Sequence, residues 1–166
     1  MIVQTINIIS SFIAALILHE LGHYVAARAC GVPVTQLGLG WGPTLFRSRL
    51  SNFDFTVRLL PLGAYVRLDM NQLLRRPVVL QLIVFSAGIF ANLLLAAITW
   101  RTTFSALNLG LALGNLLPLY QQDGWKSCMV LSRWICGRAN PVIEWSLTIV
   151  GGILGLGVLL RAISVF

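Results

Sequence analysis

The segment VVLQLIVFSAGIFANLLLAAITW, from Val78 to Trp100, contains no charged side chain. That restricts the chain more than any other feature, because a helix needs about 20 mostly apolar residues to cross about 30 Å of hydrocarbon. Three further runs come close: residues 2–29, 102–120 and 142–166. With 57% hydrophobic residues, 10% charged and a mean hydropathy of +0.84, the composition is that of a membrane protein rather than a soluble domain. The expected fold is a single domain over residues 1–166 with an all-α membrane core of four transmembrane helices. Gly151 and Gly155, in the last run, are read as helix-packing positions.

Charge orients the chain, since short loops rich in Lys and Arg stay on the cytoplasmic side. Residues 30–77 carry Arg47, Arg49, Arg58, Arg67, Arg75 and Arg76, and residues 121–141 carry Lys126, Arg133 and Arg138. The turn between the second and third runs has only Arg101. Both basic loops are therefore expected inside and both termini outside. The net charge of +7 is a topology signal, and its dispersal argues against a nucleic-acid partner. No basic stretch precedes Ile6 and no small-residue exit precedes His19, so the first run is read as a retained span. Cys30, Cys128 and Cys136 are expected as free thiols on the reducing side.

Within the first cytoplasmic loop, VTQLGLGWGPTLF and FDFTVRLLPLGAYVRL alternate β-branched, aromatic and polar residues between Gly and Pro. This predicts a small membrane-associated β-sheet of two to four short strands over about residues 33–69. Gly38, Gly40 and Gly42 are followed by Pro43 and no helix opens there, which excludes a phosphate-binding loop.

The first run contains ALILHELGHYVAAR, with the chain's only two histidines. His19 and His23 are four residues apart, so on a helix both rings project from one face and can share a zinc ion. Glu20 stands where it can take a proton from a water on that ion. The pattern is short enough to arise by chance, but an ionisable side chain at mid-membrane costs roughly 2.5–3.5 kcal/mol on insertion scales and usually marks a functional site. A third ligand must be a carboxylate or a thiolate. Asp54 and Asp69 fall in the strand-rich loop, and Glu144 sits in a first helical turn where the dipole favours it. Asp123 follows a broken helix, GNLLPLYQQDGW: Pro118 forces unwinding near Asn115, and Asp123-Gly124 is read as a turn. Irregular backbone at membrane depth survives inside protein or beside a water-filled cavity. Asp123 is the expected third ligand, with Glu144 and the cysteines as alternatives and an ordinary interfacial Asp-Gly turn as the competing reading.

Taken in order, these residues resemble the site-2 protease family of intramembrane zinc metalloproteases, closest to the bacterial branch that cleaves anti-sigma factors. HELGHYVAAR resembles the first motif, LLPLGAYVRL the membrane-associated strand, and SAGIFANLLLA the second-helix motif with Gly88 and Asn92 retained. NLLPLYQQDG is similar to the third motif, with Asn115, Pro118, Asp123 and Gly124 in register. The resemblance implies zinc held by His19, His23 and Asp123, with Glu20 as the catalytic base. It implies hydrolysis of peptide bonds inside transmembrane segments, in regulated proteolysis. The partners it implies are the lipid bilayer and a single-span protein such as an anti-sigma factor. The location it implies is a bacterial inner membrane, with the site opening toward the cytoplasm. Substrate binding is expected from a strand edge in residues 53–68, including Gly63 and Val66. Asn92 and Asn115 are expected to hold substrate backbone or the developing oxyanion, with helix-to-helix hydrogen bonding as the alternative. The chain departs from the pattern at Ile89 and Tyr120, where proline is usual, at Gln122 for leucine, and at Trp125 for glycine. Only a few residues stand where members of that branch carry PDZ domains, so a wider choice of substrate is expected. Two other classes remain open, a metal transporter and a zinc-bound membrane scaffold without proteolysis. Metal uptake into vesicles would single out the first, and a Glu20→Gln variant that keeps zinc and loses function would exclude the second.

Overall fold

Every apolar run becomes a helix, and what ends each helix shapes the site. The computed structural model describes residues 1–50 and 53–163, with side chains except at Pro61, Leu62, Leu159, Ala162 and Ile163. Helix α1 (Ile2–Ala29) has 28 residues, about 42 Å at 1.5 Å per residue. It stops at Gly31, whose φ of +67° suits a residue without a Cβ. After the sheet come a short α2 (Met70–Leu74) and α3 (Val78–Ile98). Residues 99–102 alone connect α3 to α4 (Thr103–Leu116), which leaves no room for a folded module between them. The Thr102 side chain caps α4 by accepting from the Ser105 amide.

Helix α4 has 14 residues, about 21 Å, and is shorter than the expected span of 102–120. Leu117 is extended, with ψ 143°, as a residue before proline must be, and Pro118 cannot continue the helix. Among the described residues, three helical stretches are long and apolar enough to cross a membrane: α1, α3 and Pro141–Val158 of α6 (Pro141–Ile163). Residues 164–166, the end of the last expected span, lie outside the described residues, as do residues 51 and 52 of the loop. Between α4 and α6 stands α5 (Asp123–Ile135), a helix where a loop is expected from the sequence.

The loop forms two long strands rather than several short ones, β1 (Val34–Leu50) and β2 (Phe53–Leu68), paired antiparallel. Gly40, Gly42 and Gly63, with φ of +86°, +91° and +99°, take up the bends that let each strand pair twice. Residues 36–39 lie between 54–57 and 64–67, and residues 54–57 also pair with 46–49. Residues 64–68 therefore present an edge on the side away from β1. At the far end of the sheet the Arg47 guanidinium, hydrogen-bonded to Asp54, holds that carboxyl below the usual carboxylate range. Asp69 caps α2 by accepting from the Gln72 amide.

Helix α1 packs on α3, α4 and β2, while α5 bridges α3 and α6. Gly22 makes the α1–α3 crossing close: a Cβ there would stand 2.8 Å from the Ala87 carbonyl oxygen. The buried core gathers Ala27, Val32, Val34, Leu73, Val84, Phe85 and Val130, where α1, α3 and α5 meet the sheet. Phe90, Leu94, Ile98, Ile153 and Leu156 are exposed, as side chains facing lipid would be. Gly151 does pack closely, but against the broken segment, where a Cβ would stand 2.7 Å from the Pro118 carbonyl oxygen. Gly155 meets nothing within 4 Å, which corrects its reading as a packing position. The three cysteines are free thiols.

Candidate metal centre

His19 and His23 occupy one face of α1, and both are nearly enclosed, at 5% and 8% exposure. Their Nε2 atoms stand 3.2 Å apart. Asp123 Oδ2 lies 3.1 Å from the first and 2.9 Å from the second. Asp123 is 4% exposed and reaches the histidines because the chain reverses sharply after Pro118. Gln121, at φ +70°, takes the strained position of that reversal. Asp123 then opens α5 as its first residue, so Asp123-Gly124 starts a helix and is not the turn expected from the dipeptide. A Cβ on Gly124 would collide with the Leu116 carbonyl oxygen, so glycine lets α5 begin tight beneath the end of α4.

The outer ring nitrogens decide what this triangle can bind. His23 Nδ1 donates to the Val84 carbonyl at 2.8 Å, which leaves Nε2 as a lone pair. His19 Nδ1 faces the Asn92 amide at 3.2 Å, and Asn92 is completely buried with its Oδ1 unpartnered. Exchanging the two look-alike amide atoms gives Oδ1 the His19 Nδ1–H as its donor and removes the mismatch at His19. Two Nε2 lone pairs and a carboxylate oxygen then converge with no proton among them, an arrangement that calls for a cation. Ligands at about 2.0–2.2 Å from one tetrahedral zinc stand roughly 3.3 Å apart, close to the separations here. Gly88 completes the cradle, since a Cβ there would fall on the ring nitrogens of both histidines. The group His19, His23 and Asp123 can hold a metal ion.

Around this triangle lies a cleft of about 440 Å³ lined by Glu20, His23, Val66, Phe85, Asp123, Trp125 and Lys126, among others. Glu20 is half-buried, and its Oε2 accepts from the Val66 amide at 3.0 Å. Lys126 donates to Asp123 Oδ1 at 2.9 Å, which reserves Oδ2 for the histidines. The sequence reading missed Lys126, because its i+3 relation to Asp123 matters only once residues 123–135 are helical. Tyr120 and Trp125, two of the departures from the family pattern, touch edge to face with ring centroids 5.2 Å apart.

The remaining candidates lie elsewhere. Asn115 donates to the Leu111 carbonyl of its own helix at 3.0 Å. Gly63 faces the Trp41 indole, and neither residue lines the cleft. Asp54 and Asp69 are engaged by Arg47 and by the start of α2, and Glu144 pairs with Arg133.

Comparison with known proteins agrees with this chemistry. A Synechocystis protein with a provisional zinc-metalloprotease name is 40% identical over 90 residues, which is 47% of this chain and 25% of that protein. The chloroplast membrane metalloprotease of Arabidopsis thaliana is 32% identical over 107 residues, 57% of this chain and 23% of that protein. A Clostridium perfringens protein with a similarly provisional zinc-metalloprotease name is 31% identical over 96 residues, 53% of this chain and 29% of that protein. The matched part thus amounts to about a quarter of each relative's length. Residues 7–106, which hold both histidines, Glu20, the sheet and Asn92, match Peptidase family M50. The chain belongs to that family, the site-2 protease family of membrane zinc metalloproteases.

Proposed function

We propose that the chain is an intramembrane zinc endopeptidase of site-2 type, hydrolysing peptide bonds within transmembrane segments of single-span proteins. The observation that carries this reading is the convergence of His19 Nε2, His23 Nε2 and Asp123 Oδ2 beside a carboxylate, Glu20, that lines the same cleft. A zinc ion held by the three ligands would polarise the scissile carbonyl and acidify a water. Glu20 takes a proton from the attacking water and returns it to the leaving amine, so the C–N bond breaks as C–O and N–H bonds form. Asn92 acts through His19, as a positioning residue that fixes its tautomer, rather than on the oxyanion. Asn115 has a helix-internal role.

A substrate helix hides its amides in its own hydrogen bonds, so it must be held extended before it can be cut. The edge of residues 64–68 offers main-chain pairing beside the cleft. The orientation we propose has the sheet and α5 on the cytoplasmic side of a bacterial inner membrane and both termini outside. It has four crossings, with α4 and the unwound 117–122 segment making the third. The partners are the bilayer and single-span regulators such as anti-sigma factors, with no nucleic acid. The deciding experiment is purified protein in zinc-containing lipid nanodiscs with a reporter single-span substrate. Wild type cuts it, a chelator abolishes cutting, and Glu20→Gln is inactive with zinc still bound. Cleavage that persists in Glu20→Gln, or that ignores zinc removal, defeats the proposal. Zinc uptake into vesicles would favour a transporter, and bound zinc without cleavage in wild type a scaffold.

A further inference from the structure

The edge of β2 is not free at its centre. In an antiparallel strand the N–H and C=O of one residue point to one side and those of the next to the other. The Val66 amide points away from β1 and donates to Glu20 Oε2 at 3.0 Å. The group that would pair with an incoming strand is thus already in use, and its partner is the one carboxylate that can serve as base. Both line the same cleft.

We infer that the Val66 amide is a shared donor: it parks the Glu20 carboxylate on the strand edge in the resting protein, and an extended peptide backbone takes the donor over with its own carbonyl. The inference deepens the peptidase reading and rests on it. Strand pairing and release of the base then become one event. A peptide not held extended against residues 64–68 leaves Glu20 on Val66, away from the attacking water. A segment that is held extended both presents its amide and frees the base. The gate needs no moving domain, only exchange of one acceptor for another on a single N–H.

Such competition has a sign that an ordinary supporting hydrogen bond lacks: removing the catalytic carboxylate should tighten strand binding. The probe is an alternating Val/Thr nonapeptide whose central amide is replaced by a non-hydrolysable CH2–NH link, titrated onto zinc-loaded protein in nanodiscs. Glu20→Ala should bind it about tenfold more tightly than wild type, the scale of one hydrogen bond to a charged group. Without peptide, Glu20→Ala should speed hydrogen exchange at the Val66 amide about tenfold or more and leave Tyr65 and Arg67, whose N–H groups point the opposite way, toward β1, unchanged. Adding peptide should restore Val66 protection. Zinc content equal to wild type shows that Glu20→Ala is folded. Equal or weaker peptide binding in Glu20→Ala, or unaltered Val66 exchange, overturns the inference even where wild type cleaves its reporter substrate. Failure of that cleavage would instead strike the peptidase reading itself.

Discussion

Asp123→Asn should lose zinc, whereas Asp54→Asn, Asp69→Asn and Glu144→Gln should keep it, because only Asp123 directs an oxygen at both histidines. Metal content of the purified variants checks this, and full zinc in Asp123→Asn would defeat the ligand set. Asn92→Ala should weaken zinc binding by about 10- to 100-fold, the range for residues that orient a ligand, and Asn92→Asp should largely restore it by accepting from His19 Nδ1. An oxyanion role would instead leave zinc affinity unchanged and lower only the rate. Gly88→Ala is the sharpest steric test. Alanine improves helix propensity, yet its methyl would overlap both imidazoles, so helix content should hold while zinc is lost. Overpacking of this kind costs about 1–3 kcal/mol. The placing of His19 and His23 on one helix face was legible from sequence, since HExxH on a helix dictates its own geometry. The partner of each outer nitrogen was not: the Val84 carbonyl and the Asn92 amide come from a helix more than sixty residues along the chain, and no local pattern encodes that register.

At the scale of elements, apolar length and proline placement carried most of the fold. Residues 2–29 and 78–98 became helices almost as read, and Pro118 ended α4. What the pattern could not supply was the consequence of the break. The Asp-Gly dipeptide is a strong turn signal in isolation, but here the chain reverses two residues earlier, at Gln121, and Asp123 is free to begin α5 at a position where a helix dipole favours a carboxylate. The strands were legible as strands, but their length was not, because glycines at bends look like terminators when read singly. Within β2, Val66→Pro should slow cleavage of a membrane substrate without releasing zinc. The substitution removes an N–H on the outward edge and is tolerated there as in other edge strands, while none of the three ligand residues is touched. Unchanged cleavage would count against strand pairing and leave the metal site standing.

For the whole molecule, α1, α3, α5 and the outer edge of β2 meet around one cleft, and under the proposed function this sets how a substrate must arrive. The proposed orientation, with the sheet and α5 on the cytoplasmic side, rests on the basic residues: nine of them lie in residues 30–77 and 121–141, and only Arg101 lies in the turn between α3 and α4. A single cysteine placed at exposed Leu45 of β1, in a chain whose three native thiols are replaced, should react with an impermeant maleimide only from the cytoplasmic face. Labelling from the opposite face would reverse the proposed orientation. With residues 99–102 as the whole connection between α3 and α4, no domain is inserted there, and under the proposed function substrate selection rests on how readily a transmembrane helix yields an extended segment to the edge at Val66. Cleavage should therefore accelerate when Gly or Pro is placed within a few residues of the cut and slow when Leu replaces them. The interior cost of Gly relative to Ala is about 1 kcal/mol and of Pro about 3 kcal/mol, so if unwinding limits the rate, one Gly is worth roughly fivefold and one Pro up to about a hundredfold. Rates independent of these substitutions would mean that a step other than unwinding limits the reaction, and the sheet edge would then lose its role as the place where substrates are chosen.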